Sequence, residues 1–171
     1  EAVAVGACAA LTKEDTVFSS HRAHAHYLAQ GGDLRAMIAE LYLKATGTCG
    51  GRGGSMHLVD SSVGFLGAIP IVGSSIPAAV GAALGFVLQD RSQVALVFFG
   101  EAATEEGVFA ESLNFAALKT LPVVFVCENN LYSVNSPMDV RQPDGREITI
   151  LSEALNVPAV KGNGNDVTEV L

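Results

Sequence analysis

The stretch from Gln93 to Asn130, QVALVFFGEAATEEGVFAESLNFAALKTLPVVFVCENN, decides the fold class. Its first part, Gln93 to Phe99, is an apolar run that stops at Gly100. That is the pattern of a strand buried on both faces of a parallel sheet. Glu105 to Lys119 follows with helical spacing, and Leu121 to Cys127 is a second buried run. Strand, helix and strand joined this tightly form a βαβ unit, so the two strands are expected to be parallel neighbours. The expected class is α/β: a mostly parallel sheet flanked by helices.

The flanking sequence extends this reading. Upstream, EAVAVGACAAL reads as a helix from Glu1, Thr16 to Ser20 as a short strand, and Ala23 to Gln30 as a helix stopped by Gly31-Gly32. Asp33 is placed to cap a further helix, Leu34 to Ala45, with apolar residues at helical spacing. Between Ser61 and Gln89 no residue is charged, which is long enough to raise a membrane span. Pro70, Pro77 and five glycines interrupt any single helix there, so the segment is expected to be a buried loop followed by a core helix. Downstream, Ser136 to Arg146 reads as an exposed loop, and Val160 to Leu171 as a short strand and turn.

Open α/β sheets bind ligands at the carboxyl ends of their strands. The two runs end in polar residues that a pure core has no use for: GEAATEEG, Gly100 to Gly107, and CENN, Cys127 to Asn130. The topology puts Glu101 and Asn130 at one edge. A carboxylate and an amide oxygen converging there suit a hard cation such as magnesium, which takes few protein ligands and leaves others to phosphate and water. Ala102 and Ala103 precede a helix, whose first N–H groups and dipole favour an anion. Each residue also has a plainer reading. Glu101 would complement the helix dipole, as would Glu105 or Glu106, and Asn129-Asn130 would serve a turn. The glycine-rich GTCGGRGGS, Gly47 to Ser55, lacks the Lys-Ser/Thr ending of a P-loop and the strand–helix setting of a dinucleotide fingerprint. It reads as a tight irregular loop.

From Gly100 to Tyr132 the chain resembles the thiamine-diphosphate motif of 2-oxo-acid dehydrogenase alpha subunits: Gly-Asp-Gly, a spacer of this length, then Asn-Asn. SHRAHAHYLAQG (Ser20 to Gly31), GRGGSMH (Gly51 to His57), PIVGSSIPAAVGAALG (Pro70 to Gly85) and FAESLNFAALKTLPVVFVCENNLYSV (Phe109 to Val134) also resemble segments of this family, in family order. The resemblance implies a thiamine-diphosphate-binding fold with thiamine diphosphate and Mg2+ as cofactors. It implies Glu101, Asn130 and the Tyr132 carbonyl as metal ligands, and Ala102 and Ala103 as the diphosphate-binding turn. His21 and Arg22 match the family's Tyr-Arg pair at the diphosphate, and Pro70 to Val72 fall where the aminopyrimidine ring is held.

Three departures accompany the match. Glu101 stands for the usual Asp, as in branched-chain members; Ala102 replaces Gly; and His21 replaces Tyr, as in relatives resembling acetoin dehydrogenases. The implied reaction is oxidative decarboxylation of a small 2-oxo acid with acyl transfer to a lipoyl-bearing acyltransferase. The implied partner is a beta subunit in an α2β2 assembly. The family's catalytic histidines lie outside this segment and its cofactor-activating glutamate belongs to the beta subunit, so no catalytic residue is assigned here. His24, His26 and His57 are expected to be structural or at an interface. An acetoin dehydrogenase alpha subunit and a non-catalytic partner-binding subunit are the alternatives.

Composition agrees with this class. The 171 residues are 49% hydrophobic and 16% charged, enough for one domain over 1–171 with a real core and part of its surface covered by other chains. A net charge of −8 argues against a nucleic-acid partner. Cys8, Cys49 and Cys127 are too far apart for a zinc pattern and are expected to be reduced thiols of a cytoplasmic or organelle-matrix protein. The chain opens on Glu1 without an initiator methionine, so its natural ends are expected beyond both termini.

Overall fold

The computed structural model describes residues 1–171. Helix α1 (Ala2–Ala9) leads into strand β1 (Thr16–Ser19), followed by α2 (His24–Ala29) and α3 (Leu34–Leu41). A long loop then reaches β2 (Phe65–Ala68) and α4 (Ser75–Leu88). The central unit is β3 (Ala95–Gly100), a 3-10 turn over Glu101–Glu105, α5 (Gly107–Lys119) and β4 (Val123–Glu128). After it come a small antiparallel ladder of β5 (Tyr132–Ser133) with β6 (Ser136–Pro137), then α6 (Ile148–Glu153) and α7 (Val167–Val170).

The main sheet is parallel throughout, in the order β2-β1-β3-β4. β3 and β4 are neighbours in register from Ala95↔Val123 to Gly100↔Glu128, as the βαβ reading requires. Period-two alternation along β3 explains why the whole run is apolar. Ala95, Val97 and Phe99 face one way and pack with Ile76, Ala79, Phe86, Phe109 and Leu113 of α4 and α5. Leu96 and Phe98 face the other way and pack with Val17, Tyr27, Met37 and Phe65. Asp15 joins the starts of β1 and β3, accepting from the Thr12 N–H and hydroxyl and from the Val94 N–H at 2.7 Å.

Four expectations are corrected. A second short strand, β2, lies within the uncharged stretch; four residues with Gly67 among them carry too little pattern to be read as a strand. α3 ends at Leu41 instead of Ala45, because the chain turns sharply at Leu43 (φ 55°) to wrap back on the helix. The last residues form the helix α7 against α1, where the expectation was a strand. The 136–146 segment is not simply an exposed loop: Gln142 is buried and the Arg141 side chain is tucked against the sheet edge. The uncharged stretch does contain a core helix, α4, and no helix of the protein is long and apolar enough to cross a membrane.

Candidate functional site

Because all four main strands run the same way, their carboxyl ends share one edge. The residues singled out from the sequence follow those ends. His21 and Arg22 come after β1, Pro70 to Val72 after β2, Glu101 to Ala103 directly after β3, and Asn130 and Tyr132 after β4. His21 and Pro70 are half-buried; Arg22, Val72, Asn130 and Tyr132 are exposed. Arg22 makes no ion pair.

Glu101 is the buried charged residue of this set. It is 2% exposed, and its carboxylate forms a close ion pair with the Arg141 guanidinium. A buried carboxylate needs a partner of this kind, since an uncompensated charge in a low-dielectric setting is very costly. The same guanidinium pairs with Glu105, whose oxygen also accepts from Gln142 Nε2 at 2.8 Å. Arg146 Nη2 donates to the Thr104 carbonyl at 2.8 Å, and the Thr104 hydroxyl donates to the Glu101 carbonyl at 2.7 Å. The 141–146 segment is thereby fastened over the turn that holds Glu101, Ala102 and Ala103.

After β4 the two asparagines do perform turn chemistry. Asn129 Oδ1 accepts from the Leu131 N–H and Asn130 Oδ1 from the Tyr132 N–H, each at 2.9 Å. These paired side-chain turns stabilise the left-handed backbone of Leu131 (φ 69°). They also aim the amide oxygens back at the chain's own backbone.

His26 was expected to be structural, and it sits at the centre of a buried network. Its ring stacks on Phe98 of β3 with centroids 4.0 Å apart, and Nδ1 lies 2.9 Å from the Ser19 hydroxyl at the end of β1. Nε2 approaches Glu128 at the end of β4 at 3.2 Å, an ion-pair separation without hydrogen-bond alignment. One side chain thus ties two strand ends that flank β3. Next to it, burial, reinforced by the charges of Glu101 and Glu128, pushes the Cys127 thiol up to about 12.

The glycine-rich loop proves to be committed internally. The fully buried Glu40 carboxylate accepts from four of its N–H groups: Cys49 at 2.8 Å, Gly51 at 2.9 Å, Gly53 at 2.6 Å and Gly54 at 3.1 Å. Gly47 must be glycine because any Cβ there would collide with this carboxylate. Burial alone would raise the Glu40 pKa, but the four donors outweigh it and hold the carboxyl below the usual range. The loop's donors are therefore spent on Glu40, and none of these four is free for a phosphate. The folded loop delivers the Ser55 hydroxyl to His24 Nε2 at 3.0 Å, beside the β1 end.

Neither Arg141 nor Glu40 was singled out from the sequence. Arg141 lies 40 residues beyond Glu101, with no local pattern linking them. Glu40 did carry a signal: a glycine-rich loop without phosphate-binding residues needs an acceptor for its N–H groups, and the preceding helix holds a carboxylate.

No group of three His, Cys, Asp or Glu side chains gathers to hold a metal ion. A hard divalent cation is a different case. It asks for few protein oxygens, and those of this edge are the Glu101 carboxylate, which Arg141 holds here, and the Asn130 amide oxygen, which accepts from the Tyr132 N–H. The observation that fits such a cation is the pairing at Glu101: a buried carboxylate already balanced by a positive group. A cleft of about 970 Å3 opens beside β4, lined by Glu128, Asn129, Asn130, Leu131, Met138 and Arg146 among others.

Residues 1–171 match the family of the dehydrogenase E1 component over their full length. The alpha subunit of the acetoin:2,6-dichlorophenolindophenol oxidoreductase of Bacillus subtilis is 45% identical over 170 residues, covering 99% of this chain and 51% of that protein. The chloroplastic pyruvate dehydrogenase E1 component subunit alpha-3 of Arabidopsis thaliana is 40% identical over 176 residues, covering 99% of this chain and 41% of that one. The chain spans about half the length, or less, of the curated relatives it matches. A solved structure from Mycobacterium smegmatis, described as thiamin diphosphate-dependent, superposes with a TM-score of 0.58 at 16% identity over 90% of this chain and 24% of that one. At that identity it shows the shared fold alone.

Proposed function

The chain belongs to the dehydrogenase E1 component family, and from that premise we propose that it anchors thiamine diphosphate and Mg2+ as part of the alpha subunit of a 2-oxo-acid dehydrogenase. The supporting observation is that Glu101 and Asn130 follow the carboxyl ends of the adjacent parallel strands β3 and β4, with the Ala102-Ala103 turn between them in sequence. In this reading Glu101, Asn130 and the Tyr132 carbonyl hold the metal. Ala102, Ala103, His21 and Arg22 receive the diphosphate, and Pro70 and Val72 bound the ring end. The cofactor, when bound, supplies the electron sink for decarboxylation of the 2-oxo acid; the protein supplies position and electrostatics. The residues here bind and orient, and no proton-transfer role falls to them.

Exposed Ile71, Val72, Val87, Leu88 and Leu118 support a large covered surface in the assembled enzyme, with a beta subunit as the proposed partner. An α2β2 assembly, a lipoyl-bearing acyltransferase as acyl acceptor, and a cytoplasmic or organelle-matrix location belong to the same proposal. A second reading, cleavage of acetoin, is favoured by the 45% identity to the Bacillus subtilis subunit. The test is calorimetric titration of thiamine diphosphate with Mg2+ into the chain co-expressed with a candidate beta subunit. Glu101→Ala and Asn130→Ala should each abolish metal-dependent binding. Unaltered affinity in both variants would overturn the assignment, and an activity panel of 2-oxo acids and acetoin decides the substrate.

A further inference from the structure

We infer that Arg141 is the resident counter-ion of the Glu101 site and sets its cation affinity, a metal ion having to displace the guanidinium to reach the carboxylate. The inference rests on the metal-binding reading of Glu101 given above. Its own basis is the geometry of the pair. The Glu101 side chain is 3% exposed and that of Arg141 12%, so both charges are withdrawn from water and neither is screened like a surface pair. Arg141 is also held from other sides, by Glu105 through the second nitrogen of its fork and by the Ser136 carbonyl, which accepts from Nε at 3.2 Å. It is a fixed cation rather than a long side chain that happens to pass.

Two carboxylates share this one guanidinium, so the three paired side chains together carry an excess of negative charge. A divalent ion can satisfy that excess where a single guanidinium cannot, and Glu105 offers the displaced Arg141 a place to stay. Competition of this kind favours ions of high charge density, since the entering ion must outbid a charge-assisted bond. It also leaves Glu101 compensated at every stage, which avoids the cost of a bare buried carboxylate. The 131–146 segment carries Tyr132 as well as Arg141, so the residue that guards Glu101 shares a short stretch of chain with a proposed ligand.

The experiment measures Mn2+ binding by electron paramagnetic resonance, with and without thiamine diphosphate, on the chain complexed with its beta subunit. Arg141→Gln should tighten Mn2+ binding about tenfold, because a hydrogen bond to a charged group no longer has to be broken. Arg141→Lys, a compact charge that cannot span both carboxylates, should fall between wild type and Arg141→Gln. Glu105→Gln removes the place the displaced guanidinium keeps, without touching Glu101, and should weaken Mn2+ binding. It carries the test if circular dichroism shows Arg141→Gln to be misfolded. Glu101→Gln added to Arg141→Gln should remove the gain. Unchanged or weaker Mn2+ binding in folded Arg141→Gln, or unchanged or tighter binding in Glu105→Gln, would overturn the competition while leaving the metal site standing. If Glu101→Gln leaves Mn2+ binding intact in the wild-type background, the metal-site reading itself falls.

Discussion

Glu40→Gln should loosen the 47–57 loop without removing a single methylene from the core. Glutamate presents two oxygens, and each accepts from two loop N–H groups: Oε2 from Cys49 and Gly51, Oε1 from Gly53 and Gly54. Glutamine keeps one oxygen and turns an NH2 group toward the other two donors. Those donors lose their acceptor and meet a donor instead. An unsatisfied buried donor costs about 1–3 kcal/mol, so the substitution should cost about 2–6 kcal/mol. Set against a total stability of roughly 5–15 kcal/mol, that is a large fraction of the whole.

The assay is urea unfolding combined with amide hydrogen exchange at Cys49, Gly51, Gly53 and Gly54. Exchange should accelerate there first, with contact between Ser55 and His24 lost in step. The pH dependence gives an independent check. The Glu40 pKa is held below its ordinary 4.5, so its stabilisation is intact above that value and is lost as pH falls through the folded pKa. Stability of the wild type should therefore drop on acidification below about pH 4.5, and that of Glu40→Gln should drop less. A variant within about 0.5 kcal/mol of wild type, with loop amides equally protected, would refute the reasoning, since that is the spread of an indifferent surface change.

The remaining predictions concern the same edge. If His26 ties the β1 and β4 ends, a double-mutant cycle of Ser19→Ala with His26→Ala should show coupling of at least about 0.5 kcal/mol in urea unfolding, while independent costs that simply add would refute the tie. His26→Ala should also weaken thiamine diphosphate binding, measured by the same titration, because both flanking loops lose their common anchor. Burial pushes the Cys8 thiol up to about 11, and burial with nearby carboxylates pushes Cys127 up to about 12. Both should therefore react with iodoacetamide at pH 8 far more slowly in the folded protein than in denaturant, read by mass spectrometry; equal rates would count against the buried placement of Cys8 and the raised thiol of the half-buried Cys127.

The parts of this fold that could be read from the sequence are those whose physics is local. A strand buried on both faces must be apolar at every position, so β3 announces itself. β4 carries a similar run but is an edge strand with no fully buried residue and Val124 exposed, which corrects its expected burial. The short connections between the two dictate parallel pairing. Asp33 sits where a helix needs a cap, and its side chain does accept from the Ala36 N–H. β2 escaped because an edge strand of four residues needs little apolar pattern, and α7 because a single helical turn carries almost none. At the site, the sheet edge was legible since strand ends can be counted along the chain, and Glu101 and Asn130 do follow the ends of the neighbouring strands β3 and β4. Arg141 was not, because its partner is fixed by how the 131–146 segment folds back, not by spacing.

Glu40 and Arg141 do the same physical job in opposite senses: each neutralises what the chain has buried by reaching far along the sequence. Glu40 collects the N–H groups of a loop that would otherwise resemble an anion cradle, and Arg141 occupies a carboxylate that would otherwise attract a cation. A glycine-rich loop and an acidic strand end therefore look equally like ligand sites in the sequence, yet they differ in what ligand entry would break. Filling the Gly47–Ser55 loop with a phosphate would set that anion against a buried carboxylate and strip its four backbone donors, a cost that no surface anion repays. Filling the Glu101 site exchanges one cation for another of higher charge, and the displaced guanidinium still has Glu105 to hold. That difference in reversibility, more than the presence of glycine or acid, is why the proposal puts a cation at the end of β3 and no phosphate in the loop.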